Sequence, residues 1–408
     1  MESILFQPRP STYSRWQEIC PEIDPREIIP EGDRARQAGA DLPDGPWINR
    51  TAKPLFENDL YAFASTVLRR DRLTPTLSAE LCDYLQTIPP RRKLVLIPRR
   101  HFKSTIGAQC LPLHVLIQPA ASNVYRLPDW EPKEGASYRI LLAREKKELA
   151  SDVLRWIKGE LTNNKNLRAL WPEIVWNDVK RQKVTPWSDD AIVVPRKESY
   201  VEPTIATAGV DGAITGTGYD VQVLDDLLTE PRCYSPTETE RSVRFWRSTK
   251  ALCDRFDRLV QITIGTKWPS PDLYTYIRAQ NPQDRNDTEY ITIYRRSIVE
   301  NGKPIMPEYF TLDMVEALKR EFKTLFPFIF MNSERVPGVS AFNPNDVREY
   351  TVKDGKYLFE PDPRDSRVSA TLQSREGESR RSVLGKGTKL NRETWDRCIS
   401  PGTKIEFR

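Results

Sequence analysis

Lys103, Ser104 and Thr105 close a short basic loop, Pro98-Arg-Arg-His-Phe-Lys-Ser-Thr105, that follows the apolar run Leu94-Val-Leu-Ile97. In a nucleotide-phosphate loop a buried strand delivers backbone N–H groups to the phosphates. A lysine neutralises β/γ charge there, and the next hydroxyl ligates Mg²⁺. Lys103 and Ser104 stand where those two roles need them. The motif G-x-x-x-x-G-K-[ST] puts glycines at positions 97 and 102, where this chain carries Ile97 and Phe102. Taken alone, the stretch also describes a strand end followed by a basic helix start.

A second segment, Tyr219-Asp-Val-Gln-Val-Leu-Asp225-Asp226, is an apolar-rich run that closes on two adjacent carboxylates. Carboxylates at the end of a buried strand suit Mg²⁺ and an attacking water, the other half of a nucleoside triphosphatase site. By itself it also reads as an acidic turn. The two segments in this order along one chain point to phosphate chemistry more strongly than either alone.

Such residues need a rigid sheet to hold them, and the patterning supplies one. Leu60, Phe63, Ala64 and Val67, then Leu77, Leu81, Tyr84 and Leu85, fall at helical spacing before the loop. Ser104 to about 117 predicts a helix with its N-terminus at the phosphates. Residues 138–143 predict a buried strand, and 145–161 a helix with Leu149, Val153, Trp156, Ile157 and Leu161 on one face. Further strands are predicted at 191–194, 204–208 and 259–264, and a helix at 311–322. Alternating strands and helices argue for a three-layer α/β domain with a mostly parallel sheet, its site at the strands' carboxyl ends.

The 408 residues allow one large or two ordinary domains. A hydrophobic content of 38% with 29% charged residues describes a heavily charged surface, and no apolar run reaches membrane-spanning length. No signal peptide is expected from the first residues. Six scattered cysteines with no C-x-x-C pair, and only two histidines, argue against a zinc cluster or a disulfide scaffold and for a reducing setting. The net charge of +5 permits nucleic-acid binding without requiring it. Arg91, Arg92 and Lys93 either contact DNA phosphates or solvate the turn before a strand. Trp171, Trp176 and Trp187 are expected to pack locally. The divisions expected are an extended arm at 1–53, the main α/β domain at 54–300, a linker at 301–350 and a polar tail at 351–408 with 13 Lys or Arg.

With these pieces in order, the chain resembles the large terminase subunit of tailed bacteriophages, the motor that pumps DNA into preformed capsids. The resemblance covers about residues 54–350. It rests on Pro98–Thr105, on Ile214-Thr-Gly-Thr-Gly-Tyr-Asp220 leading into Val223-Leu-Asp-Asp226, and on Ile264-Gly-Thr-Lys-Trp-Pro-Ser-Pro-Asp-Leu-Tyr274. Residues Pro307 through Phe342 look like that family's linker.

The resemblance implies a P-loop NTPase of the RecA-like (ASCE) kind that hydrolyses ATP with Mg²⁺ to translocate double-stranded DNA. ATP would be held by Pro98, Arg99, Arg100, His101, Phe102, Lys103, Ser104 and Thr105, and Mg²⁺ by Ser104 and Asp225. Asp226 would orient and deprotonate the water, with Glu230 as a fallback, and Thr266 would sense the γ-phosphate. Many members carry Glu at the position of Asp226. Phosphoryl transfer also calls for an arginine finger, for which Arg144 and Arg196 are the candidates. Implied partners are a portal protein, a small terminase subunit and further copies in a homo-oligomeric ring, in the host cytoplasm and with no membrane. Only 58 residues follow Tyr350, too few for the family's nuclease domain, so no cleavage by this chain alone is expected: either a separate nuclease chain supplies it or the sequence is a truncated or divergent form. The competing readings are a non-hydrolysing nucleotide-binding assembly protein and a helicase-like DNA-dependent ATPase.

Overall fold

The computed structural model describes residues 53–334 apart from 127–128, 178–179, 181–182, 185, 213–217, 270, 283, 285–286 and 288, together with the backbone of four later strands. The proposed arm at 1–53 lies almost wholly outside the described residues, as does most of the Ile214–Gly218 turn. The chain forms two compact units, Met1–Glu334 and Arg335–Arg408.

The first unit is built on a seven-stranded sheet: β1 (Arg92–Leu96), β2 (Ile140–Arg144), β3 (Ala191–Ile192), β4 (Ile205–Gly209), β5 (Val221–Asp225), β6 (Val260–Gly265) and β7 (Ile291–Arg295). Their spatial order is β3-β4-β2-β5-β6-β1-β7, and every pairing is parallel except β3 with β4. Every residue of β1, β5 and β6 is buried, as expected of parallel strands covered on both faces.

Alternation along β6 shows which helices cover which face. A Cβ on Gly107 would meet the Ile264 side chain, so the helical segment after the β1 loop lies on the Ile264 face. On the opposite face the Trp246 indole donates to Thr263 Oγ1 at 3.0 Å. The first group contains α1 (Leu77–Gln86), the π-helical turn Thr105–Cys110 with α2 (Leu111–Leu116), and α3 (Lys147–Asn163). The second contains α4 (Pro236–Thr249) and α5 (Leu273–Ala279). On α3 the buried stripe Ala150, Val153, Leu154, Ile157 and Leu161 follows helical spacing, whereas Leu149 is exposed. No described helix is long and apolar enough to cross a membrane.

The basic run before β1 is spent inside the fold. Lys93 is 1% exposed, and its ammonium donates to the carbonyls of Tyr84, Leu85 (2.8 Å) and Thr87 (2.6 Å), closing the C-terminal end of α1. Arg91 and Arg92 pair with Glu289 at 2.6 and 2.9 Å, and Arg92 also reaches Gln261 on β6. These three cations are not available to DNA. Of the tryptophans, Trp171 is buried and donates to Glu57, and Trp176 donates to the Val193 carbonyl.

The first unit does not end at residue 300. A short hairpin, β8 (Val299–Glu300) and β9 (Lys303–Pro304), turns through left-handed Asn301 and Gly302. Helix α6 (Leu312–Phe322) and the turn Phe326–Ile329 follow. In the second unit the backbone forms a four-stranded antiparallel sheet of β10 (Tyr350–Lys353), β11 (Lys356–Phe359), β12 (Ala370–Gln373) and β13 (Lys404–Phe407).

Gly265, at the end of β6, shows how tightly the site end of the sheet is packed: a Cβ there would lie 2.0 Å from the Tyr274 hydroxyl oxygen and 2.1 Å from its Cζ. Gly265→Ala should therefore lower unfolding stability by about 1–3 kcal/mol, read from denaturant midpoints, with part recovered on adding Tyr274→Leu. An unchanged midpoint would mean that the Tyr274 ring does not rest on this strand.

Candidate nucleotide site

The loop after β1 achieves its turn without glycine. Arg100 and Phe102 both take left-handed backbone, with φ of +65° and +58°. Phe102 thus holds the conformation for which the motif's second glycine is suited, at a steric cost of roughly 1–2 kcal/mol. Its ring is supported edge-on by Tyr309 at 5.7 Å, with the Arg72 guanidinium 5.4 Å away. The Phe102 carbonyl accepts from Ile106 N at 2.9 Å, starting the helix that carries Lys103 and Ser104.

His101 is 1% exposed, lies parallel to Phe310 at 4.6 Å and donates from Nδ1 to the Arg99 carbonyl. Burial pushes its imidazole down to about 4, so it is neutral near pH 7 and serves the loop through packing. The Arg99 guanidinium lies over Trp268 at 4.8 Å and 3.9 Å from Glu230. That ion pair occupies the fallback base. Pro98 is buried, and Thr105 is half-buried at the start of the π-helical turn.

Four strand ends meet here. Ser104 Oγ donates to Asp225 Oδ1 at 2.9 Å, and Lys103 Nζ pairs with Asp226 Oδ2 at 3.2 Å. From the end of β2, Arg144 brings Nε to 3.2 Å from Asp225 Oδ2 and Nη2 to 3.8 Å from Asp226 Oδ2. Arg144 Nε and Asp225 Oδ2 are near enough to attract but are not aligned for a hydrogen bond, so both remain without one. Asp226 has φ of +46° and its N–H donates to the Ile264 carbonyl at 2.9 Å. Left-handed backbone is better tolerated by Asp than by the longer Glu, a physical reason for the shorter acid at this position. Thr266, 2% exposed just beyond β6, has a buried hydroxyl without a hydrogen-bond partner.

The donor set suits Mg²⁺. A buried carboxylate oxygen lacking a hydrogen bond lies next to a serine hydroxyl, and Mg²⁺ is ordinarily held by one or two carboxylates with phosphate and water completing its octahedron. Among the described residues no group of three or more His, Cys, Asp or Glu converges, so such an ion would take its remaining ligands from phosphate and water.

Arg196 is placed elsewhere. Its guanidinium donates to the carbonyls of Tyr200 and Glu202 and reaches Thr204, just before β4, at the opposite end of the parallel strands from Asp225. The sequence reading also missed a contributor: Ile329 O accepts from Arg99 N at 3.4 Å and Asn332 Oδ1 accepts from Lys267 N at 3.0 Å, so the 326–332 segment borders the site. A lone asparagine in an irregular stretch carries no periodic signal that would have revealed it.

No protein-family model matches the sequence. No curated protein matches it. Among solved structures, the crystal structure of the HK97 bacteriophage large terminase matches with a TM-score of 0.39 and 13% identity, over 71% of this chain and 58% of that chain. The chain thus spans less than two thirds of that structure's length, and so loose a likeness adds nothing to the geometry above.

Burial, then the neighbouring Asp226 charge, pushes the Asp225 carboxyl up to about 6, against the opposing pull of Arg144 and Lys103. A raised folded value means that the stability contribution of Asp225 is full below its unfolded range near 4 and is lost as pH climbs through about 6. Asp225→Asn removes this titration and keeps an acceptor for Ser104. The ligand-free variant should exceed the parent at pH 8 by on the order of 1–3 kcal/mol in chemical denaturation and match it near pH 4. Equal stability at pH 8 would contradict the desolvation of Asp225. Arg100 is exposed, so Arg100→Gly should add about 0.5–1 kcal/mol in the same assay by relieving its left-handed strain.

Proposed function

We propose that the chain binds a nucleoside triphosphate with Mg²⁺ at the β1 loop and hydrolyses it. The observation that carries this reading is the contact of Ser104 with Asp225 across the sheet, beside a buried carboxylate oxygen without a hydrogen bond. Bound Mg²⁺ would supply charge neutralisation between the β- and γ-phosphates.

Lys103 and Arg144 both lean on the carboxylates. An arriving triphosphate competes for Lys103, which moves its charge from Asp226 to the β/γ-phosphates. Asp226, released from that pair, orients the attacking water and accepts its proton. Arg144 lies in the same chain as these carboxylates and is placed to counter charge growing on the γ-phosphoryl oxygens. The Thr266 hydroxyl, unengaged and between loop and carboxylates, reads the γ-phosphate.

The larger role rests on the terminase-like sequence blocks around Lys103, Asp225 and Thr266. On that reading hydrolysis drives double-stranded DNA into a preformed capsid, with copies of the chain in a ring on a portal protein and a small terminase subunit selecting the DNA.

The test is Mg²⁺-dependent ATP turnover by the purified chain, with and without duplex DNA. Lys103→Ala, Asp225→Ala and Asp226→Asn should each lower turnover by about 100-fold or more, and duplex DNA should raise it in the parent. ATP binding without turnover would favour the assembly-protein reading, and unwinding of a duplex would favour the helicase-like one. Turnover unaffected by Lys103→Ala would end the proposal.

A further inference from the structure

We infer that Asn332 is a positioning residue for the γ-phosphate end of this site, acting through Thr266; the inference rests on the triphosphatase reading above. Asn332 is fully buried and its backbone is left-handed, with φ of +47°. Its side-chain oxygen accepts from Lys267 N at 3.0 Å while its side-chain NH₂ donates to the Arg296 carbonyl at 2.9 Å. Lys267 immediately follows Thr266 and lies beyond the last residue of β6, so the sheet ladder no longer supplies a partner for its N–H. The amide of Asn332 takes over where the strand stops.

The surroundings give this contact its leverage. Gly265 pairs with Leu96 at the root of the loop, and Ile264 pairs with Asp225. The peptide after Thr266 is therefore flanked by both halves of the site, and from outside it is fixed by Asn332 and, one residue on, by Asp272, whose Oδ2 accepts from Trp268 N at 2.9 Å. The segment holding Asn332 is itself anchored. Phe330 O accepts from Ile298 N and Met331 O from Ser297 Oγ, each at 2.8 Å, and Ile329 O meets Arg99 N in the loop.

The chemistry selects asparagine. Aspartate tolerates left-handed backbone but has no donor for the Arg296 carbonyl. Glycine fits the backbone but supplies neither bond. Lys103 and Ser104 do not depend on this amide, so nucleotide binding should survive its loss while the orientation of the Thr266 hydroxyl does not.

The test uses the full chain with Asn332→Gly, Asn332→Asp and Thr266→Ala, reading affinity for a fluorescent ATP analogue, turnover and melting temperature. In Asn332→Gly the affinity should stay within about threefold and turnover should fall about tenfold or more, with Asn332→Asp between it and the parent. Combined with Thr266→Ala, Asn332→Gly should cost almost nothing further, the non-additivity expected when one residue acts through the other. Additive losses, or an equal fall in affinity and turnover, would overturn the inference. Failure of both Asn332 variants to fold would make the residue purely structural and overturn it too. A parent chain without turnover would instead overturn the triphosphatase reading on which it stands.

Discussion

Two adjacent carboxylates at the end of a fully buried strand are the constraint from which the rest follows. Asp225 is 1% exposed, and its charge is tolerated only because Ser104, Arg144 and Lys103 converge on it and on Asp226. Those three partners lie on the loop after β1 and at the tip of β2, which bracket β5 in the sheet order. With β6 between β5 and β1, Thr266 emerges between loop and carboxylates. A parallel sheet in this order gathers all of these side chains at the carboxyl ends of its central strands, and the same chain in another order would leave Asp225 buried without compensation.

The loop that answers this constraint is strained, and the strain is balanced from residues well beyond the sheet. Left-handed Phe102 leans on Tyr309, and His101 lies flat on Phe310. Ile329 and Asn332 hold Arg99 and Lys267. Residues 306–332 thus form a wall of the site as well as a continuation of the first unit. A loop with glycines would need less support, so the substitution at 102 and the packing of this wall belong together.

Much of this was legible in the sequence, for identifiable reasons. β1, β5 and β6 are buried on both faces and rich in apolar residues that run into polar ones at their ends, so the roots of the loop and of the acidic pair were readable. β7 was missed because Ile291-Thr-Ile-Tyr-Arg lies at an edge and mixes polar with apolar residues. Lys93 looked like surface because a charge reads as exposed, whereas its burial depends on helix-end carbonyls that only the fold brings near. Arg144 and Arg196 were equivalent candidates in sequence. Only the direction of the strands separated them, placing one beside Asp225 and the other at the far end of the sheet.

The most direct test of a phosphate loop built without glycines is calorimetric titration of the purified chain with ATP, in the presence of Mg²⁺ and in its absence. Binding of one nucleotide per chain that weakens by about tenfold or more without Mg²⁺, and likewise with Ser104→Ala, is the expected result. Binding indifferent to both the ion and the serine, or no binding at all, would show that the contact between Ser104 and Asp225 is only structural.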